Sequence, residues 1–246
     1  MIYFVGAGPG AVDLITVRGA DLLSRAGIIV YAGSLVNPEL VSRYARPECR
    51  VYDSARMTLE EIVAVLAEGH NKNILTVRLH SGDPALFGAV REQFEALAAR
   101  NIPFEVVPGV SSLFAASAAL KREYMIPGHT QTLIISRIAG RTPAPESASA
   151  ALFLSAGMME KACDELIARG YSPETPAAVV YRASWPDEKV IRGTLETLPR
   201  LAEGITKSAL ILAGDFLSDD MHTASRLYDK NFSHEYRNSG LHAQGD

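Results

Sequence analysis

The chain has 246 residues, 48% hydrophobic and 21% charged, the composition of a globular protein rather than a disordered or fibrous one. A net charge of −4 with scattered basic residues leaves no electrostatic footprint for nucleic acid or an anionic membrane, so neither is expected as a partner. The two cysteines, Cys49 and Cys163, form no Cys-x-x-Cys pair, so no disulfide framework and no metal site is expected.

The opening Met1-Ile2-Tyr3-Phe4-Val5-Gly6 has no basic leader and too short an apolar stretch for a signal peptide or membrane span, which points to the cytoplasm. Residues 2–5 read as a buried strand, followed by the turn Gly6-Ala7-Gly8-Pro9-Gly10 and a helix over about 16–25. A second strand spans 28–31. Asn37-Pro38-Glu39 supplies the N-cap and first turn of a second helix, and Thr58-x-x-Glu61 is a capping box opening a third, through about Glu68. Strand 74–79, helix 89–100, strand 104–107 and an Ala-rich helix 110–120 complete an open, mostly parallel sheet. The expected organisation is α/β in two lobes, 1–123 and 124–246, joined by a connector at about 124–130. The second lobe should hold a mixed sheet, with strands at 132–136, 151–154, 177–181, 189–193 and 209–212 and fewer helices. A Pro-rich loop, Gly140-Arg141-Thr142-Pro143-Ala144-Pro145-Glu146, reads as a rim or lid, and the chain after about 236 as a frayed tail.

The run from Val77 to Gly88 ends a strand in a tight turn with a lone carboxylate, where open α/β sheets place ligands. Gly82 can take positive φ, and Pro84 keeps Asp83 out of the helical region, so Asp83 is presented at a strand's carboxyl end. It either accepts protons from a ligand's hydroxyl or amino groups or is an ordinary turn carboxylate. Gly6-Ala7-Gly8-Pro9-Gly10-Ala11 satisfies the dinucleotide fingerprint G-x-G-x-x-G/A, which would suggest a flavin or nicotinamide oxidoreductase. That reading wants an acid at the end of the second strand, yet no Asp or Glu lies between Asp21 and Glu39. The chain has no Gly-Lys-Ser/Thr loop, His-Glu-x-x-His or Gly-x-Ser-x-Gly element. Of six histidines only His80 falls in a motif, and structural roles are expected for all.

Together, Gly6-Ala7-Gly8-Pro9-Gly10, Ser81-Gly82-Asp83-Pro84 and Val107-Pro108-Gly109-Val110-Ser111-Ser112, in that order and spacing, resemble the tetrapyrrole (corrin/porphyrin) methylase family over essentially the whole chain. The segments Val30-Tyr31-Ala32-Gly33-Ser34-Leu35-Val36, Gly140-Arg141-Thr142-Pro143 and Ser225-Arg226-Leu227-Tyr228-Asp229-Lys230-Asn231-Phe232 are similar to those of its precorrin-4 C(11)-methyltransferase branch. The resemblance implies a homodimer of two-lobed subunits with S-adenosylmethionine in the cleft between lobes, leaving as S-adenosylhomocysteine. Position by position it sets the cofactor against Pro9, Ser81, Gly82, Asp83, Leu86, Ser111, Ser112 and Ala183. The reaction it implies is methylation of precorrin-4 at ring carbon 11 to give precorrin-5 in cobalamin biosynthesis, or the same step on cobalt-precorrin-4. Uroporphyrinogen methylases of the family carry an Asp where this chain has Ala32, which argues against that substrate and leaves no general base to assign. A tetrapyrrole's carboxylates call for Arg or Lys at the rim, with Arg18, Arg122, Arg137, Arg141 and Arg182 as candidates. Because methyl transfer from a sulfonium obliges no catalytic side chain, a binding protein without turnover remains an alternative.

Overall fold

The computed structural model describes residues 1–138, 148–219, 229 and 232–237; the whole Pro-rich loop 140–146 with Arg141, residues 225–228, 230 and 231 of the last resembling segment and the tail after 237 lie outside them. The first sheet comprises β1 (Ile2–Gly6), β2 (Ile28–Tyr31), β3 (Arg50–Asp53), β4 (Thr76–His80) and β5 (Phe104–Val107). Its strand order is β3-β2-β4-β1-β5, and all pairings are parallel. A parallel sheet is covered on both faces, which is why β1 and β2 read as apolar runs. Val5, Ile29, Val77 and Leu79 pack on one face with Leu22, Leu23 and Leu40 of α1 (Val17–Arg25) and α2 (Pro38–Tyr44). Ile2, Phe4, Ile28 and Val30 pack on the other with Ile62, Val63, Leu66 and Leu97 of α3 (Leu59–Asn71) and α4 (Arg91–Ala98).

The helix starts follow their caps. Thr16 Oγ1 accepts from the Gly19 amide at 3.1 Å, Asn37 Oδ1 from the Glu39 amide at 3.0 Å, and the Thr58–Glu61 box closes in both directions. Several boundaries differ from the sequence reading by one to three residues, the strand expected at 151–154 among them, which runs 149–152. β4 begins at Thr76 rather than 74, and α5 (Ser112–Leu120) begins after a Ser111 N-cap rather than at 110. α4 begins at Arg91 rather than 89, because Phe87 and Ala89 take left-handed φ values of +58° and +49°. β3, which that reading did not include, is a half-buried edge strand.

The second sheet is mixed, as expected. β6 (Leu133–Ser136) and β7 (Ser149–Leu152) run parallel, while β10 (Ala209–Ala213) is antiparallel to both β7 and β8 (Pro176–Tyr181), and β9 (Lys189–Thr194) is antiparallel to β8. One face packs on α6 (Met159–Ala168) and α7 (Leu198–Leu201) through Leu152, Leu166, Val179, Leu198 and Ile211. The other receives α5 of the first half, whose Leu113, Ala116 and Leu120 lie against Ala178, Val180, Leu210 and Leu212. That helix therefore ties one sheet to the other. Among the described residues, no helix is long and apolar enough to cross a membrane.

Two polar side chains of β4, Arg78 and His80, are buried on the α3–α4 face. Burial, reinforced by the neighbouring Arg78 charge and opposed by a bond to the Gly88 backbone, pushes the His80 imidazole down to about 3. An unfolded histidine titrates near 6.5, so below that pH the unfolded chain takes up a proton that the native state refuses, and stability falls as pH drops from 6.5 toward 3. Between pH 7.5 and pH 5 this amounts to about 2 kcal/mol, at 1.36 kcal/mol per pH unit. Denaturant unfolding at the two pH values should therefore show the wild type losing about 2 kcal/mol more than His80→Phe. Equal losses would place the acid sensitivity elsewhere.

Candidate active site

The carboxyl ends of β1, β4 and β5 converge on three glycines. A Cβ on Gly109 would sit 2.2 Å from the Gly82 carbonyl oxygen and 2.7 Å from the Gly6 Cα, so no side chain fits between these strand ends. Just beyond, Gly8 (φ +80°) and Gly82 (φ +62°) exchange backbone hydrogen bonds of 3.2 and 2.9 Å, a conformation L residues rarely adopt. Asp83 completes the junction: Oδ1 accepts from the Ala85 amide and Oδ2 from the Gly109 amide, each at 2.8 Å. The turn-carboxylate role left open by the sequence is thus filled, and it reaches across to the β5 turn as well. Ser111 Oγ caps α5 by accepting from the Leu113 amide at 3.2 Å.

The turn after β8 closes over the first glycine turn. The Trp185 indole donates to the Pro9 carbonyl at 3.1 Å, Ser184 Oγ accepts from the Ala11 amide at 3.0 Å, and Asn37 Nδ2 donates to the Gly10 carbonyl at 2.9 Å. Gly10 has no room for more: a Cβ there would lie 2.1 Å from the Trp185 ring. Arg182 lies over the same indole at 4.0 Å and bonds Asp187 at 2.8 Å.

Between these two constructions lies a cavity of about 700 Å³, within the range of sites for small organic ligands. Pro9, Ser81, Gly82, Asp83, Leu86, Ser111, Ser112 and Ala183, drawn from both halves of the chain, all line it. Residues the sequence reading did not name also line it: the 33–38 segment after β2, Phe87, Phe153, Leu154, Trp185 and 206–210. Trp185 is the sole tryptophan of the chain, which was the one available signal. Phe87 and Phe153 pair at 5.2 Å across the cavity wall. Of the candidate arginines among the described residues, only Arg182 lines the cavity; Arg18 pairs with Glu105 at 2.5 Å, Arg122 pairs with Asp219, and Arg137 is exposed. Lys207 is a further lining cation, and it has no ion-pair partner among the described residues.

The glycine turn is not arranged for a dinucleotide. The amides of Ala7, Gly8 and Ala11, which would face a pyrophosphate, donate to His80 O, Gly82 O and Ser184 Oγ. The turn also leads into a 3-10 turn at Val12–Leu14 rather than a helix start, since α1 begins only at Val17. Among the described residues the lining holds no histidine or cysteine, and no cluster of metal-ligating side chains occurs. What the cavity offers is hydroxyls and backbone groups on one side and apolar walls on the other, an arrangement for holding an amphiphilic ligand.

Comparison with known proteins agrees with that organisation. The cobalt-precorrin-4 C(11)-methyltransferase of Methanocaldococcus jannaschii is 47% identical, over 97% of this chain and 96% of its own. The precorrin-4 C(11)-methyltransferase of Pseudomonas aeruginosa is 40% identical over 96% and 98%. A solved cobalt-precorrin-4 methyltransferase superimposes with a TM-score of 0.82 at 43% identity, covering 88% of this chain and 95% of the other. A uroporphyrin-III C-methyltransferase from Thermus thermophilus, solved with S-adenosylhomocysteine, gives 0.73 at 28% identity, covering 88% and 92%. Residues 1–199, which span the glycine junction, the whole first sheet, four of the second sheet's five strands and the Trp185 turn, match the tetrapyrrole (corrin/porphyrin) methylases, and the chain belongs to that family.

Proposed function

We propose that the protein binds S-adenosylmethionine in this cavity and transfers its methyl group to carbon 11 of precorrin-4, giving precorrin-5 in cobalamin biosynthesis. The observation that carries the reading is the gathering of eight residues, from Pro9 to Ala183, around one cavity in a chain whose relatives are named for this reaction. A second reading, cobalt-precorrin-4 as substrate, is favoured by the relatives at 47% and 43% identity that bear that name.

The cavity fits the cofactor's mixed chemistry. Ser81, Ser111 and Ser112 offer hydroxyls for the polar groups, and Leu86, Val180, Ala183 and Leu210 offer apolar surface for the purine. Asp83 holds the two turns together with one lone pair on each oxygen, leaving its charge and remaining lone pairs for an amino or hydroxyl proton. When bound, the cofactor supplies an electrophilic methyl carbon on a positively charged sulfur. The chain's part is to hold that carbon and the ring carbon in line and to exclude water, since near-attack positioning can supply about 7–11 kcal/mol and a reaction that disperses charge gains from desolvation. Arg182 and Lys207 are the lining cations available to substrate carboxylates.

Titration calorimetry should show micromolar binding of S-adenosylhomocysteine and none of NADH or FAD. Asp83→Asn replaces an acceptor by an amide that must turn one N–H toward the Ala85 or Gly109 amide, and should weaken that binding by more than about 1 kcal/mol. Unchanged affinity would confine Asp83 to holding the turns. A labelled-methyl assay on precorrin-4 and cobalt-precorrin-4 should show incorporation into at least one, and incorporation into neither would reject the assignment.

A further inference from the structure

Leu86 and Phe87 line the cavity from a segment, 84–90, whose backbone is not at rest by itself. Phe87 and Ala89 adopt left-handed φ values of +58° and +49°, conformations that persist in non-glycine residues only where the surroundings hold them. Three buried polar side chains lie under this segment. Arg78, 5% exposed, has no carboxylate partner among the described residues; its Nε donates to Gln93 Oε1 at 3.0 Å, and its Nη1 to the carbonyls of Val30 at 3.2 Å and Leu79 at 3.4 Å. Gln93, 4% exposed, donates Nε2 to the Ala89 carbonyl at 3.0 Å. His80 stacks on Phe4 at 5.8 Å, meets the Gly88 backbone with its ring, and leaves Nε2 without a partner.

A guanidinium buried without a counter-charge is a poor way to fill a core, since apolar side chains of like volume do so without the desolvation cost. Its bonds have a common geometry, however. Val30 is the residue before the Tyr31-Ala32-Gly33 exit of β2, which enters the cavity lining at Gly33, and the Arg78–Gln93–Ala89 chain ends on the strained segment that carries Leu86 and Phe87. Two walls of one cavity are thereby joined through the protein interior. We propose that Arg78, Gln93 and His80 form a buried brace that fixes segment 84–90 against the end of β2, and that they are positioning residues for the ligand held by those walls. None of the three lines the cavity, so the brace acts through Leu86 and Phe87 rather than by contact.

Two substitutions separate this role from core packing. Gln93→Leu keeps the volume and removes both bonds. Gln93→Glu keeps an acceptor for Arg78 and adds the missing counter-charge, but a carboxylate cannot donate to the Ala89 carbonyl. Amide exchange followed by mass spectrometry should accelerate at least tenfold across 84–90 in both variants while β4 keeps its protection. The dissociation constant for S-adenosylhomocysteine, measured well below each variant's Tm, should rise at least fivefold in both, although Gln93→Glu melts close to the wild type. Wild-type exchange across 84–90 in either variant, or an unchanged dissociation constant in Gln93→Glu, would overturn the brace and leave Gln93 a buried polar residue only. The binding measurement rests on the S-adenosylmethionine reading, whereas the exchange measurement does not. Failure of the wild type to bind S-adenosylhomocysteine would count against that reading and leave the exchange arm to decide the brace.

Discussion

Where β1, β4 and β5 end, three backbones share a space too small for one methyl group. The 2.2 Å that a Cβ on Gly109 would leave to the Gly82 carbonyl is far inside van der Waals contact, and the obstacle is backbone on every side, so no rotamer change could relieve it. Much of the site depends on that approach. With the strand ends this close, Asp83 can reach the Gly109 amide at 2.8 Å, the Gly8–Gly82 bridge can form, and Ser111 sits where it caps α5. Because α5 packs on the second sheet, the glycine junction also sets where the far wall of the cavity stands.

The opposite constraint comes from the second half of the chain. Trp185 and Ser184, joined by Asn37 of the first half, take up the Pro9 and Gly10 carbonyls and the Ala11 amide, so the turn acts as a surface of fixed shape rather than as an anion cradle. Held from both sides, the cavity tolerates backbone that would otherwise relax. Phe87, Leu154 and Arg182 all line it with φ between +48° and +58°, at roughly 1–3 kcal/mol each. Strained backbone at several points of one cavity, beside turns held by hydrogen bonds, is the pattern of a preorganised binding site.

Elements governed by local rules were legible in the sequence. The caps at Thr16, Asn37 and Thr58 are decided within four residues, and the apolar runs of the central strands follow from burial on both faces. The three turn motifs were legible as a set, and the eight residues that the resemblance they carry sets against the cofactor, Ala183 after β8 among them, line one cavity. What escaped was decided at long range or by conformation. Arg50-Val51-Tyr52-Asp53 gives no clear alternation because an edge strand is only half buried, and nothing local to Phe87 or Ala89 announces the left-handed φ that delays α4. Trp185 meets Pro9 across 176 residues of sequence. Arginine candidates chosen for charge alone could not reveal that Arg18 is satisfied by Glu105, 87 residues away. Arg78 stood inside the most informative run, yet its identity as a charged residue gave no hint that the fold buries it without a counter-charge.

The distribution of titratable groups also bears on how such a site works. Asp83 accepts from two amides, Arg182 contacts Asp187 and the indole, and among the described residues the lining holds no imidazole or thiol. A cavity of this kind contributes to a displacement at carbon chiefly through placement, and placement is steep: a shift of about 1 Å in a reacting group can cost on the order of a hundredfold in rate. Under that condition the walls matter as much as any polar contact, and so do the residues behind them. The expense of burying Arg78 and of holding Phe87 and Ala89 in unfavourable conformations then has a common return. Both bear on a wall, residues 84–90, that lies outside any helix or strand, in a site whose proposed chemistry depends on where things are held.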